Sequence, residues 1–129
     1  MLFQASYNHF IHLVVCYVFR RRFYKRRVFD YVMWLDLSDP GISRTLMLFG
    51  ERELDHKWLL EAVCKRDMHV LDIGANIGYY VLMESKLIGS GGRISAVEPS
   101  AKNFRLLERN LRLNKVDHQV DLNQVAVSS

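Results

Sequence analysis

From residue 69 onward, short apolar runs alternate with longer segments in which apolar residues recur every three or four positions. Short apolar runs are typical of strands, and an apolar residue at every third or fourth position is typical of helices. The predicted strands are residues 69–73, 93–99 and 118–127, and the predicted helices are residues 78–88 and 101–114. Ser100 stands where a helix N-cap is expected. Strands that alternate with helices predict an α/β fold with a parallel sheet and right-handed crossovers.

Each predicted helix has an apolar face that is expected to pack against the sheet. The residues on these faces are Ile77, Tyr80, Val81 and Ile88 for the first helix, and Phe104, Leu107 and Leu111 for the second. Earlier in the chain, residues 31–37 read as a strand that is closed by the turn Asp39-Pro40-Gly41. Residues 50–66 read as a helix in which Leu54, Trp58 and Ala62 form part of an apolar stripe.

The N-terminal part, residues 1–29, has a different character from the domain predicted for residues 30–129. An apolar run at 10–19 is followed by "RRRFYKRR" at 20–27, which holds six positive charges. About 20 apolar residues are needed to span a bilayer, so the run predicts no membrane span. We expect a helical extension with a solvated basic face. An interfacial helix, with Arg20 to Arg27 on an anionic membrane, is the main alternative. Nucleic acid is not expected, since no RNA-binding module accompanies the charges.

Composition indicates a globular protein. Half of the 129 residues are hydrophobic, a quarter are charged, and the formal net charge is +4. The two cysteines, Cys16 and Cys64, are far apart and form no CxxC pair, so neither a metal site nor a disulfide framework is predicted. A reducing, cytoplasmic location is the expectation, with peripheral membrane attachment as the alternative.

The chemistry-bearing stretch is "VLDIGANIGYY" at 70–80, which follows the pattern Asp72-x-Gly74-x-Asn76-x-Gly78. A dinucleotide turn needs glycines at positions 1, 3 and 6, and that spacing is absent, which disfavours an NAD-linked oxidoreductase. A carboxylate before the turn would repel a pyrophosphate but suits a cationic ligand such as S-adenosylmethionine. Asn76 tolerates left-handed dihedrals better than most non-glycine residues.

Glu98 closes the next strand, 20 residues after Gly78, where a carboxylate can accept hydrogen bonds from both hydroxyls of a ribose. The acid before the turn, the turn itself and the acid after the next strand together predict a nucleoside-bearing ligand. The alternative is a plain βα turn whose acids are solvated.

"VLDIGANIGYYVLMES" and "VEPSAKNFRLLERNLRLN" resemble the S-adenosylmethionine-dependent methyltransferases of the FkbM type. The resemblance covers about residues 30–129 and implies a Rossmann-like class I methyltransferase fold. It implies methyl transfer to a hydroxyl of a sugar or other small molecule. By matching position, Asp72, Gly74, Asn76 and Gly78 would hold the methionine end of the cofactor and Glu98 its ribose. Ser100 and Tyr79 are weaker candidates for the cofactor wall.

In that fold the three predicted strands have the order 3-2-1. The chain ends after the third predicted strand, so the catalytic residues stay unassigned. We therefore expect a fragment that holds the cofactor half, associates through the open edge 69–73, and has no turnover alone. An inactive remnant that binds a membrane surface or a partner is the alternative interpretation.

Overall fold

The computed structural model describes residues 2–14 and 22–126. In chain order the elements are α1 (Leu2–Leu13), β1 (Phe23–Val28), β2 (Tyr31–Asp36), α2 (Ile42–Phe49), α3 (Leu54–Val63), β3 (His69–Ile73), α4 (Tyr79–Ile88), β4 (Arg93–Val97), α5 (Ala101–Leu113), a short 3-10 turn (Asp117–Gln119) and β5 (Val120–Asn123). They form two compact units that divide between Glu53 and Leu54. No helix in the described ranges is long and apolar enough to cross a membrane.

The first unit contains an antiparallel hairpin of β1 and β2. This corrects the prediction of a helix for the described part of the basic run. Exposure along β1 alternates with a period of two, with Lys25 and Arg27 exposed, Arg26 half-buried and Val28 fully buried. The arginines obscure this alternation in the sequence, but it is the period of a strand rather than of a helix. The earlier part of the run, Arg20 and Arg21, lies outside the described residues.

Arginines of the hairpin are engaged within the first unit. The Arg22 guanidinium bonds to the buried Asp36 carboxylate, with Nη2 3.0 Å from Oδ2. The Arg26 guanidinium donates to the main-chain oxygen of Met47 in α2. These charges therefore help to fix strand and helix, which a purely solvated basic face would not do.

The helices between the hairpin and the parallel sheet differ from the predicted 50–66 helix. Helix α2 precedes it, and α3 begins only at Leu54. The predicted apolar stripe on α3 is not buried, because Trp58 is 61% exposed and Val63 50% exposed. Spacing alone indicated an amphipathic helix, but the described part of the second unit provides no surface that covers this stripe.

The second unit contains the predicted parallel sheet, with β4 between β3 and β5. The order 3-2-1 inferred from the sequence is therefore confirmed for these three strands. The third strand is shorter than predicted, because a 3-10 turn occupies Asp117–Gln119 before β5 begins. On β4, Ile94 and Ala96 are fully buried on one face, and the register places Val70 and Asp72 of β3 beside them.

Helix α4 buries a different tyrosine from the one predicted. Tyr79 is 1% exposed, whereas Tyr80 is only half-buried. Val81 and Ile88 are fully buried, as predicted, and on α5 so are Leu107 and Leu111. The helix begins one residue after Gly78, so its phase is set by the turn, and the turn rotates Tyr79 into the core.

The opposite face of the sheet is open at β3. Leu71 is 64% exposed and Ile73 60% exposed, and β3 pairs only with β4 among the described residues. The expected exposure of the 69–73 edge is thus confirmed for the described part of the chain.

Candidate cofactor site at the glycine turn

The turn between β3 and α4 has three residues with left-handed backbone dihedrals. The φ angles are +86° at Gly74, +51° at Asn76 and +90° at Gly78. Asn76 has the backbone conformation that the sequence led us to expect. Glycine and asparagine adopt such angles at a lower cost than other residues, so the alternation Gly-x-Asn-x-Gly follows from the shape of the turn.

The two glycines have different roles. A Cβ at Gly74 would meet no atom within 4 Å, so this part of the turn borders open space that a ligand can enter. A Cβ at Gly78 would lie 2.7 Å from Cδ1 of Leu107 in α5. The start of the helix therefore lies close to α5, and only a residue without a side chain leaves room for Leu107 there.

The Glu98 carboxylate connects the turn to the segment after β4 through two hydrogen bonds. The Asn76 amide donates to Oε2 at 2.8 Å and the Ser100 amide donates to Oε1 at 2.9 Å. The side chain is only 5% exposed, and both of its oxygens have a partner. Each carboxylate oxygen can accept a second hydrogen bond, so the two amides do not use the whole acceptor capacity of the side chain.

These bonds give Glu98 a role in the fold besides the ligand contact that the sequence predicts. A buried carboxylate that accepts two backbone amides stabilises the loop it joins, and its removal would leave both donors unpaired. Sequence reasoning assigned the acid to the ligand alone because the two amides belong to residues 22 and 2 positions away, and nothing in the sequence shows their directions.

Main-chain and side-chain bonds complete the support of the turn. The amides of Gly74 and Ala75 donate to the main-chain oxygen of Val97, at 2.8 and 3.0 Å. The buried side-chain amide of Asn110 in α5 donates a hydrogen bond to the main-chain oxygen of Ile77 at 2.8 Å. The turn is therefore tied to both β4 and α5.

Ser100 and Tyr79 are placed differently from the rest of the predicted site. Ser100 Oγ accepts from the Asn103 amide at 3.4 Å, which is the predicted N-cap of α5. Tyr79 is in the core, with its ring 5.1 Å from that of Tyr80. It presents almost no surface to a ligand in this conformation.

Asp72 lies at the end of β3 on the face that α4 covers. Its Oδ2 is buried, with no hydrogen-bond partner among the described residues. Burial, and secondarily the charge of Glu98, raises the pKa of this carboxyl above its ordinary value. A buried, unpaired carboxylate is costly, and a cationic ligand would relieve that cost.

A second acid, Glu84 of α4, was not singled out in the sequence. It is 5% exposed, and its Oε2 has no partner within the described part of the chain. Burial, followed by the charge of Asp72, raises its pKa to about 7. Its only sequence signal is its position, four residues after Tyr80, on a helix whose other charged residue is Lys86.

Glu84 and Asp72 line one pocket of about 150 Å³ together with His56, Leu59, Leu60 and Tyr80. The Tyr80 hydroxyl is 3.2 Å from Nδ1 of His56, and the two rings meet edge to face. His56 is exposed and contacts Tyr80 at the wall of the pocket. Within residues 2–14 and 22–126, no three His, Cys, Asp or Glu side chains are arranged to hold a metal ion.

The sheet order, the turn and the acids at the strand ends together define a Rossmann-like fold of the class I methyltransferase type, as predicted. The sequence profile of the TRM5/TYW2 methyltransferase domain matches residues 33–128. The chain belongs to that family. The profile that matches is not the FkbM one, so the FkbM assignment stays a prediction.

Solved structures show the same fold. The chain is 18% identical to M. jannaschii TYW2 in complex with AdoMet, with a TM-score of 0.63 over 80% of this chain and 43% of that one. It is 18% identical to a putative transferase, PH0793, from Pyrococcus horikoshii, with a TM-score of 0.63 over 97% and 50%. A putative rRNA-methylase from Clostridium thermocellum is 17% identical, with a TM-score of 0.55 over 58% and 41%.

The chain thus spans half or less of the length of these structures. A search of curated protein sequences finds no match. The family assignment, together with the AdoMet in the TYW2 structure, supports S-adenosylmethionine as the cofactor predicted from the sequence.

Proposed function

We propose that this chain forms the cofactor-binding part of an S-adenosylmethionine-dependent methyltransferase. The observation that carries the proposal is the left-handed turn, which is open at Gly74 and held by Glu98, with the unpaired Oδ2 of Asp72 beside it. These features suit a ligand that has a cationic end and a ribose. When bound, the cofactor supplies a methyl group on a positively charged sulfur.

Each residue of the site then has its own role. Asp72 supplies negative charge near the cationic end, and Gly74 allows the ligand to approach the backbone. Asn76 and Gly78 set the curvature of the turn. Glu98 keeps the turn in shape through two amides and accepts from the ribose through its remaining acceptor positions.

For the methyl acceptor we propose a hydroxyl of a sugar or another small molecule. The support is the resemblance of "DIGANIGYY" and "VEPS" to the FkbM type. Since methyl transfer is an in-line displacement, the acceptor oxygen has to be positioned opposite the sulfur, and positioning contributes much of the rate. Formation of S-adenosylhomocysteine with a sugar and not with RNA would support a small-molecule hydroxyl as the acceptor, and it would contradict the expectation that the chain has no turnover alone.

The cofactor proposal is tested by calorimetric titration of the 129-residue chain with S-adenosylmethionine and with NADH. We expect binding of the first and none of the second. Asp72→Asn keeps the size of the side chain and removes its charge, so it should weaken S-adenosylmethionine binding about tenfold. Asp121→Asn, at an exposed position of β5, is the matched control and should change nothing. Equal binding of NADH, or an unchanged affinity in Asp72→Asn, would contradict the proposal.

Attachment to an anionic membrane through the basic run remains a separate proposal. Its support is the exposure of Lys25 and Arg27 on β1, although Lys25 also lies over the Trp34 ring at 4.7 Å. Binding to vesicles with and without phosphatidylserine, at low and high salt, tests it. Binding that is independent of lipid charge would leave only a structural role for these residues.

A further inference from the structure

The pocket between α3, β3 and α4 has an electrostatic imbalance that the glycine turn does not explain. It is lined by two carboxylates, Asp72 and Glu84, and each has an oxygen that is buried and has no partner among the described residues. Glu84 is 95% buried, given its 5% exposure. Buried charges in proteins are normally paired, so two acids that each have a buried oxygen without a partner in the described ranges favour a positively charged occupant of the pocket.

The remaining wall of the pocket is apolar and aromatic. Leu59 and Leu60 of α3 contribute aliphatic surface, and the Tyr80 ring can face a cation. At about 30 Å³ for each water-sized group, a cavity of about 150 Å³ accommodates about five non-hydrogen atoms. The chemistry therefore matches a short alkyl chain that ends in an ammonium group.

We propose that this pocket binds an aliphatic ammonium group, whose charge is held by Glu84 and Asp72 and whose carbon chain packs on Leu59 and Leu60. A metal ion fits less well, since no third ligand accompanies the two acids within the described ranges. The proposal adds Glu84 and α3 to the residues of the cofactor site and shares Asp72 with it. Its cofactor alternative rests on the proposed function, whereas binding of a separate amine does not.

The ammonium can come from two sources, a separate amine or the amino end of S-adenosylmethionine. Asp72 borders both the turn and the pocket, so both sources can reach it. The shared chemistry is an ammonium on a short aliphatic chain, and n-butylamine is the simplest probe, with five non-hydrogen atoms.

Binding should be linked to proton release. The titratable groups that face or act on Glu84 are Asp72 on β3, His56 on α3, Cys64 directly after α3, and Tyr80 on α4 itself. In the free chain the pKa of Glu84 is about 7, so at pH 6 this side chain is largely protonated. An ammonium beside it favours the charged carboxylate and lowers that pKa. At pH 6 binding should therefore release close to one proton, and at pH 8.5 almost none.

The experiment is calorimetric titration of the 129-residue chain with n-butylamine at pH 6 and pH 8.5, in buffers with different ionisation enthalpies. We expect binding at both values, with proton release only at the lower one. The uncharged analogue 1-butanol should bind at least about tenfold more weakly, because it cannot pair with the carboxylates. Equal binding of 1-butanol, or no proton release at pH 6, would overturn the proposal.

Glu84→Gln keeps the shape of the side chain and removes the titration. It should abolish proton release and weaken n-butylamine binding at pH 8.5 about tenfold. Glu108→Gln, on the exposed surface of α5, is the matched control and should retain both properties. Proton release that persists in Glu84→Gln would assign it to another group and overturn the role of Glu84. If Glu84→Gln does not fold, the titrations of the unaltered chain decide the question.

Two further titrations distinguish the sources. If S-adenosylmethionine displaces n-butylamine and 5′-methylthioadenosine does not, the amino end of the cofactor is the occupant. If n-butylamine and S-adenosylmethionine bind together, a separate amine occupies the pocket. Failure of S-adenosylmethionine to bind at all would remove the proposed function but leave the n-butylamine result standing, so the two proposals fail separately.

Discussion

Glu98 and Glu84 are equally buried, at 5% exposure each, but they lie in opposite electrostatic surroundings. Both oxygens of Glu98 accept backbone amides at the glycine turn. In the pocket beside α3, Oε2 of Glu84 has no partner among the described residues, and the charge of Asp72 acts against it. Partners rather than depth therefore decide whether a buried acid stabilises this fold or opposes it.

The contrast also separates two kinds of site. The turn is preorganised, since its backbone is fixed by Val97, Asn110 and Glu98 before any ligand arrives. In the pocket, one oxygen of Asp72 and one of Glu84 have no partner among the described residues, and a bound cation would supply one. A ligand that reaches both regions through Asp72 would combine a rigid cradle with a charge that the protein leaves unpaired.

The largest expected effect comes from breaking the turn at Gly78. In Gly78→Ala, the new Cβ would lie 2.7 Å from Cδ1 of Leu107. The alanine would also have to keep a φ of +90°. Overpacking and left-handed strain together should lower the free energy of unfolding by about 4 kcal/mol. Urea unfolding followed by circular dichroism measures this change.

Gly74→Ala is the matched control for Gly78→Ala. It has a similar φ of +86°, but its Cβ would meet no atom within 4 Å. Strain alone should cost about 1 kcal/mol. Equal losses in the two variants would show that α5 does not press on the turn as described.

The next effect tests the pocket through pH. Because the pKa of Glu84 is raised from 4.5 to about 7, the folded chain retains a proton between these values that the unfolded chain has lost. The free energy of unfolding therefore falls as pH rises through this window, by about 3 kcal/mol in total, and the loss is complete above pH 7. Glu84→Gln should remove this dependence and be the more stable protein at pH 8.

The measurement is urea unfolding at several pH values between 5 and 8, taken as the difference between the unaltered chain and each variant. The difference cancels the titrations that the two proteins share. Glu108→Gln should give a flat difference, since that carboxylate pairs with Arg112 on the surface. If the difference for Glu84→Gln is also independent of pH, the pKa of Glu84 is not raised as described.

Much of the second unit could be predicted from the sequence because its signals are local. Positive φ at Asn76 and the N-cap at Ser100 follow from residue types at short spacing, and the strand order follows from the fold that the resemblance implies. The misses depend on contacts between distant residues. The strand character of β1 becomes visible only once β2 pairs with it, and the inward turn of Tyr79 depends on how Gly78 starts the helix. No local pattern shows that Oε2 of Glu84 has no partner among the described residues.

Glu98→Gln should act in the opposite direction to Glu84→Gln. Glu98 accepts hydrogen bonds from two main-chain amides, and in the variant one of these amides would face an NH2 group instead of an oxygen. That buried donor would lose its partner. We expect a loss of about 2 kcal/mol in the free energy of unfolding and about tenfold weaker S-adenosylmethionine binding. Urea unfolding and calorimetric titration measure the two effects, and a variant as stable as the unaltered chain would contradict the clamp.

The smallest effects separate the shape of the turn from its contact with the ligand. Asn76→Gly keeps the φ of +51° accessible and should change stability by less than about 1 kcal/mol. Asn76→Ile places a β-branched side chain there and should cost about 1–2 kcal/mol. Lys115→Ile is the control, because Lys115 has φ +59° in the loop after α5, away from the turn. Both isoleucine variants should lose similar stability in urea unfolding, but only Asn76→Ile should bind S-adenosylmethionine more weakly. Equal affinity in Asn76→Gly and Asn76→Ile would mean that the left-handed position supports the fold without shaping the cofactor site.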